Sequence, residues 1–227
     1  MKKMFFLIML LQIGCDLYST DPEDCSGVSD VDGNCYATVQ IGEQLWTAKN
    51  LKVTHYQDRS EIPKNGDWWS LNMGAYCDYD NNPSNSDIYG RLYNWYATND
   101  VRGLCMDGWH VPTLDEYKTL TEYLGGEDVA GGKMKEEGTK HWLSPNTGAT
   151  NESGFTALPA GMRAPINNPS DYIRRGESAF YWSSSEDNGG YYGVAWYLRY
   201  NQLFLGQYDH RKDMGYSIRC VKGLVLP

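Results

Sequence analysis

The sequence predicts an α+β fold made of antiparallel hairpins, one or two short helices and long loops. The helix near the middle of the chain is the best marked. Thr113 and Glu116 have the spacing of a capping box, and apolar residues then recur at helical spacing as far as two consecutive glycines. Alternating apolar and polar residues predict a hairpin on each side of this helix, over residues 35–47 and 194–205. Helices placed between hairpins are typical of the α+β class, and we expect both ends of the chain in one sheet.

The first hairpin is expected to turn at Gly42-Glu43, with glycine in the first turn position, and residues 44–47 return as the partner strand. Successive side chains of a strand point to opposite faces. We therefore expect one face to carry alternate residues starting from Cys35, and the other face to carry those starting from Tyr36.

The remaining elements follow in order. Residues 49–86 are predicted to be irregular, and residues 127–135 indicate a second short helix weakened by two internal glycines. The last hairpin has its expected turn at Asn201-Gln202, and alternate residues of 216–220 are expected to close the sheet.

The first residues of the chain predict a lipoprotein signal peptide. Lys2 and Lys3 form a short basic region, and the apolar run of residues 4–13 has the length of a signal-peptide core rather than of a bilayer span. The run ends in LQIGC, which resembles a bacterial lipobox, so Cys15 is the predicted lipidation site. The alternative is an ordinary signal peptide that is cleaved slightly later.

These features divide the chain into a signal peptide (1–14), an acidic tether (15–29) and a single domain (30–227). We expect an exported protein whose lipid chains attach it to the outer membrane or the cell surface. The membrane is thus one expected partner, reached through the lipid anchor.

The composition of the chain limits which classes of partner it is expected to bind. The 227 residues carry a net charge of −9, which argues against binding to nucleic acid and against electrostatic attachment to membranes. The chain contains 18 tyrosines and 8 tryptophans, whose rings have polar edges. Such rings suit stacking on sugars at a wet surface, and they equally suit pinning a loop-rich β fold.

Six segments along the chain carry a family resemblance. They are IGEQLWTAKNL (41–51), YGRLYNWYA (89–97), GLCMDGWHVPT (103–113), GFTALPAGMR (154–163), FYWSSSE (180–186) and SIRCVK (217–222). In this order they resemble the Fibrobacter succinogenes major paralogous domain family, from about Asp30 to Lys222. The resemblance implies a secreted bacterial surface protein or lipoprotein, with a fold distantly similar to C-type-lectin-like folds.

The cysteines are expected to pair. Five remain after the lipidation site, and an oxidising compartment favours two pairs and one odd thiol. The C-type-lectin-like resemblance implies Cys105–Cys220, which would fasten the loop before the central helix to the last strand and stabilise the fold by roughly 4–5 kcal/mol. Cys25–Cys35 is the second expected pair, and Cys77 could replace either of its members. Zinc binding is the rival use, but the sequence has no Cys-x-x-Cys motif.

The segment CDYDNNPSNSD (77–87) is dense in the oxygen ligands that calcium takes. An EF-hand does not fit, because Pro83 stands where that loop requires glycine. The alternative is a solvated turn, which Asn, Asp and Pro favour without a metal. No other cofactor is expected. The candidate calcium ligands are Asp78, Asp80, Asn82 and Asp87.

A second polar and aromatic segment predicts ligand binding. Its rings, hydroxyls and carboxylates surround the flexible Gly189-Gly190, an arrangement that suits recognition of a glycan or a surface protein. The alternative for Trp182 is a place in the core. The candidate ligand-binding residues are Tyr181, Trp182, Ser183, Glu186, Asp187, Asn188, Tyr191 and Tyr192.

No pattern predicts catalysis. The serines at 183–185 lack a Gly-x-Ser-x-Gly context, and the four histidines are scattered. The adjacent acids at 115–116 and 136–137 are expected on solvated helix surfaces. We therefore expect a surface lipoprotein that acts in binding or adhesion and is not an enzyme. The alternatives are a structural component of a cell-surface assembly and, third, a hydrolase with an unrecognised site.

Overall fold

The computed structural model describes residues 25–64, 68, 72–164 and 171–223. The predicted signal peptide, the Cys15 lipidation site and residues 16–24 of the predicted tether lie outside the described residues. Within the described ranges, no helix is long and apolar enough to cross a bilayer.

The described residues form short strands, short helices and long connections. The strands are β1 (Val28–Ser29), β2 (Cys35–Tyr36), β3 (Thr38–Ile41), β4 (Gln44–Thr47), β5 (Tyr76–Cys77), β6 (Leu92–Tyr93), β7 (Trp109–His110), β8 (Met162–Arg163), β9 (Tyr172–Ile173), β10 (Ser178–Glu186), β11 (Tyr192–Arg199), β12 (Gly206–Arg211) and β13 (Val221–Lys222). The helices are α1 (Pro83–Tyr89), α2 (Trp95–Thr98), α3 (Leu114–Tyr123) and α4 (Glu127–Met134), with a 3-10 turn at Tyr79–Asn81.

Two antiparallel sheets organise the domain. One has the order β3-β4-β13-β7, so the last described strand pairs with the first hairpin, as expected. The other is the meander β10-β11-β12. Three two-stranded pairs, β1-β2, β5-β6 and β8-β9, lie outside these sheets. Mixed antiparallel strands with few helices confirm the predicted α+β class.

The first hairpin forms around Gly42-Glu43, as predicted, with Ile41 opposite Gln44. The expected assignment of its faces is wrong at the start, because Cys35 is exposed and Tyr36 is buried. Residues 35–36 belong to a separate strand that pairs with β1, so the alternation changes phase between β2 and β3.

The last hairpin also differs from prediction. The turn at Asn201-Gln202 is not a two-residue connection, since β11 ends at Arg199 and β12 begins at Gly206. The longer loop has a structural use. The buried ammonium of Lys135 donates hydrogen bonds to the carbonyl oxygens of Thr147, Arg199 and Gln202, at 2.9, 3.1 and 2.8 Å. Burial lowers the pKa of Lys135 to about 8.

Helix α3 begins with the predicted capping box. Thr113 Oγ1 accepts from the Glu116 backbone N–H at 3.2 Å, and Glu116 Oε2 accepts from the Thr113 N–H at 2.8 Å. The buried face of the helix carries Tyr117 into the core, where its ring lies 5.2 Å from Trp46 and stacks at 5.6 Å on Trp196. The aromatic residues thus join α3 to both sheets.

Two disulfides close the fold, Cys105–Cys220 and Cys25–Cys35, which are the two pairs predicted. Cys77 is a buried free thiol, and burial raises its pKa to about 12. The Cys77 thiol therefore stays protonated at neutral pH. Neither of the two disulfides includes it.

Candidate functional site

The predicted ligand-binding segment begins inside the core. Tyr181, Trp182 and Ser183 lie in the middle of β10 and are fully buried. Trp182 Nε1 donates to the Tyr93 carbonyl oxygen at 3.0 Å, and its ring packs 4.4 Å from that of Tyr216. The structure therefore places these three residues in the core, because residues 178–183 of β10 are buried on both faces of the strand.

The rest of that segment forms an exposed turn between β10 and β11, residues 186–192, which we name the aromatic tip. It holds the predicted residues Glu186, Asp187, Asn188, Tyr191 and Tyr192; Asp187 is half-buried and the other four are exposed. The ladder between β10 and β11 is irregular between Trp182 and Glu186. The structure thus brings five of the eight predicted contact residues onto one surface turn.

Asp187 orders the tip. Its carboxylate accepts hydrogen bonds from the backbone N–H groups of Tyr192, at 2.7 Å, and Gly189, at 3.2 Å. The first of these bonds is the main cause that lowers the pKa of Asp187. This aspartate is engaged by the backbone, so its role is to shape the turn rather than to hold a ligand.

The two tyrosines point outward. The exposed fraction is 79% for Tyr191 and 45% for Tyr192. A Cβ added to Gly189 would lie 2.8 Å from the Tyr191 ring, so this ring lies directly over the glycine backbone. An aromatic face held over a tight turn is available for stacking on a partner.

Lys212 fastens the tip to the domain. Its ammonium pairs with the Glu186 carboxylate, donates to the Gly190 carbonyl oxygen at 2.8 Å and lies 4.2 Å from the Trp95 ring centre. Trp95 is itself fixed, since its Nε1 donates to the Ser183 carbonyl oxygen at 3.1 Å. Sequence reasoning missed both residues, because no local pattern at 95 or 212 reveals contacts with the turn at 186–192.

The loop after α2 adds shallow space beside Trp95. Two cavities of about 360 and 330 Å³ share the residues Asn99, Asp100 and Val101, and one of them is also lined by Trp95. Val101 is fully exposed, and Met73 at the rim is about half exposed. Apolar side chains in contact with water at open cavities provide contact area for a partner.

The structure gives no support to the predicted calcium site. The four candidate ligands make separate contacts, and no group of three or more acidic, histidine or cysteine side chains within the described ranges could hold a metal ion. Asp78 is fully buried and forms ion pairs with Lys64, at 2.7 Å, and Arg91, at 3.2 Å. Burial raises the pKa of Asp78, but these cations and the Ser86 hydroxyl outweigh it and leave the pKa below its ordinary value.

The other three candidate ligands face different neighbours. Asn82 caps α1 by accepting from the Ser84 N–H at 3.1 Å. Asp87 lies 3.8 Å from Lys52 with 77% of its side chain exposed, and Asp80 is 3.9 Å from Arg175. The segment is a 3-10 turn followed by the short helix α1, tied to the rest of the domain by these ion pairs, and it is less solvated than the alternative interpretation predicted.

The paired carboxylates also have structural partners. Glu116 belongs to the capping box and contacts His110 Nε2 at 2.7 Å. Both oxygens of Glu136 accept from His141 Nδ1, at 2.7 and 2.9 Å. Each of these two carboxylates thus bonds to a histidine.

Comparison with known proteins gives a family and no individual relative. A family model described as the Fibrobacter succinogenes major domain matches residues 39–222, which include both sheets, all four helices and the aromatic tip. No curated protein and no solved structure matches the chain.

Proposed function

The chain belongs to the Fibrobacter succinogenes major domain family, and we propose that it is an exported surface lipoprotein whose single domain binds a glycan or a surface protein. The aromatic tip is the proposed contact surface. Residues 1–14 serve as the signal peptide and Cys15 carries the lipid. The tether to the outer membrane or cell surface is shorter than the predicted 15–29, because Cys25 is bridged to Cys35 and β1 pairs with β2.

Export is supported by the cysteines. Disulfides persist in oxidising compartments and are rare in the cytosol. Two of them close this domain, and one links residues 115 positions apart.

We also propose a C-type-lectin-like fold. Its support is the bridge from Cys105, in the loop before α3, to Cys220, immediately before β13. The placement of β13 between β4 and β7 adds to it, since this brings the two ends of the domain into one sheet.

The observation that carries the binding function is the outward placement of Tyr191 and Tyr192 on a turn whose backbone Asp187 holds. Large exposed rings on an ordered loop contribute contact area with little loss of conformational entropy on binding. Loops on a rigid scaffold are also where binding residues concentrate.

The test is retention on a panel of soluble and insoluble polysaccharides, with a Cys15→Ser protein that lacks the lipidation site. We expect saturable retention on at least one polysaccharide, and loss of it in the double variant Tyr191→Ala/Tyr192→Ala. Tyr123→Ala is the matched control, because Tyr123 is a similarly exposed tyrosine on α3, outside the tip.

Two results would count against the glycan proposal. One is the absence of retention on every polysaccharide, which would direct the search to protein partners by crosslinking on intact cells. The other is retention that the double variant keeps. Retention should also survive a calcium chelator, since the calcium ligands do not assemble.

A structural role in a surface assembly is the second candidate. The observation that favours it is the exposure of Val101 and Met73, two apolar side chains on the cavities beside Trp95. In that case Val101→Asp would release the protein from the assembly, as crosslinking and co-sedimentation would show, whereas the tyrosine variants would remain attached.

A further inference from the structure

A separate cavity of about 410 Å³ lies between β2, the chain that follows β4, and helix α1. Its volume falls within the range of roughly 300–1,000 Å³ that is usual for small-molecule sites. Tyr36, Ile88 and Leu158 provide apolar wall, and Ser86 and Thr156 provide hydroxyl groups. We name it the Arg219 cavity, after the cation at its base.

Arg219 is a buried cation without a buried anion. Its side chain is fully buried, and no acidic side chain in the described part of the chain forms an ion pair with it. The guanidinium carbon lies 4.3 Å from the centre of the Phe155 ring and 5.7 Å from that of Tyr181. The guanidinium donates only to neutral oxygens: Asn50 Oδ1 at 2.6 Å, the carbonyls of Thr47 and Phe155 at 2.7 Å each, and the Thr156 carbonyl at 3.0 Å.

An unneutralised charge in a poorly solvated place acts over a longer distance than one in water, because the local dielectric constant is low. Arg219 has no free surface for a ligand to touch. It therefore acts on the cavity through its field, and direct contacts must come from the rim.

The rim of the Arg219 cavity adds further positive charge. Lys49 is exposed and makes no ion pair with any described residue, and Lys52 pairs only loosely with Asp87, at 3.8 Å. The remaining acid of the wall, Glu136, is occupied by His141. Three cations and two acids thus line a cavity in a chain whose net charge is −9.

We propose that the Arg219 cavity binds a small carboxylate-bearing sugar, such as a hexuronic acid residue. The carboxylate lies between Lys49 and Lys52 above Arg219. The hydroxyls of Ser86 and Thr156 donate to Asp78 and to the Gly154 carbonyl, so their oxygens accept from the sugar hydroxyls. The apolar wall covers the face of the ring. This site is separate from the aromatic tip and does not depend on it.

The probes are galacturonate and galactose, which share a ring and differ in the carboxylate. NMR titration of the full-length Cys15→Ser protein at low salt should show saturable shifts with galacturonate, centred on residues 49–52 and Thr156, and none with galactose. Physiological salt should weaken the binding, since the lysines at the rim are screened.

The double variant Lys49→Ala/Lys52→Ala should weaken galacturonate binding by about fivefold or more, as expected for two partly exposed charge contacts. Lys118→Ala/Lys222→Ala is the matched control, with both lysines outside the cavity lining, and should bind as the native protein does. The Tyr191→Ala/Tyr192→Ala protein should also bind galacturonate normally, so failure of the tip proposal and failure of this one are distinguishable.

The proposal is overturned by any of three results: no shifts with galacturonate, equal shifts with galactose, or unchanged affinity in the Lys49→Ala/Lys52→Ala protein. Circular dichroism confirms that the variants are folded before these results are compared.

Discussion

Residues 77–87 and the aromatic tip have similar compositions and opposite uses. Both contain Asp, Asn and Tyr, and each begins at the end of a strand. In the first, Asp78 is drawn into the protein by Lys64 and Arg91. In the second, Asp187 bonds only to its own turn, and the tyrosines stay in water. Asp78 is buried and Asp187 is not because the two cations that pair with Asp78, Lys64 and Arg91, lie outside its own segment.

The comparison teaches that acidic and amide residues alone do not identify a binding loop. A loop whose carboxylate is buried against distant cations, as Asp78 is, belongs to the structure. One that satisfies its own backbone can leave its large side chains for a partner. The predictions below test that division, starting from the strand that supports the tip.

The largest effect is expected within the originally predicted binding segment. Trp182→Ala should lower the free energy of unfolding by about 4 kcal/mol, because it leaves a large cavity beneath Tyr216 and removes the hydrogen bond to Tyr93. Tyr191→Ala, nine residues later and exposed, should change it by less than about 0.5 kcal/mol. Urea unfolding measures both, and similar losses would mean that the tip is part of the core.

Asp78→Ala should be the next most destabilising, by about 3 kcal/mol, since it leaves Arg91 without its buried partner. Asp87→Ala removes an exposed carboxylate from the same segment and should cost less than about 0.5 kcal/mol. Equal effects in urea unfolding would show that the burial of Asp78 contributes nothing to stability.

The stability that Asp78 contributes should depend on pH, unlike that of the exposed Asp87. The pKa of Asp78 in the folded protein lies below its ordinary value of 3.8. Its ionised form therefore adds stability that is fully present above that value and is lost as the pH falls through the folded pKa.

The difference in unfolding free energy between the native protein and Asp78→Asn should thus hold from about pH 7 to pH 5 and shrink below about pH 4. Denaturant titrations at a series of pH values measure it. Asp87→Asn serves as the reference, and a difference that grows with acid would contradict the assignment.

A small effect on stability is also expected from a change to the backbone of the tip. Gly189→Ala places a methyl group where the Tyr191 ring now lies, so the ring must move although the exposed turn loses little stability. We expect a change below about 1 kcal/mol, together with weaker retention on the polysaccharide that the native protein binds. Unchanged retention would mean that the position of this ring is unimportant.

The sequence was sufficient for features that rest on local chemistry. The capping box of Thr113 and Glu116 and the turn at Gly42-Glu43 both involve neighbours within a few residues, and both are found as predicted. Helix α1 is not among the predicted helices, although Asn82 and Pro83 are a good helix start. The density of oxygen ligands in this segment favours a metal site or a turn instead.

The site was less accessible to sequence reasoning because it depends on distant contacts. Trp182 and Tyr191 lie in one aromatic segment, and only the position of β10 in the middle of the fold separates the buried ring from the exposed one. Likewise, nothing near Lys212 in the sequence indicates that it pairs with Glu186.

The Cys105–Cys220 bridge also determines how the domain would carry a mechanical load. A pull between the two described ends would pass from Cys105 directly to Cys220 and bypass the 115 residue positions between them. That bypassed chain would otherwise supply about 400 Å of extended length. It contains α3, α4, the meander and the aromatic tip. The segment that can be drawn out lies between Cys35 and Cys105, so the tip is kept off the load path while the bridge is intact.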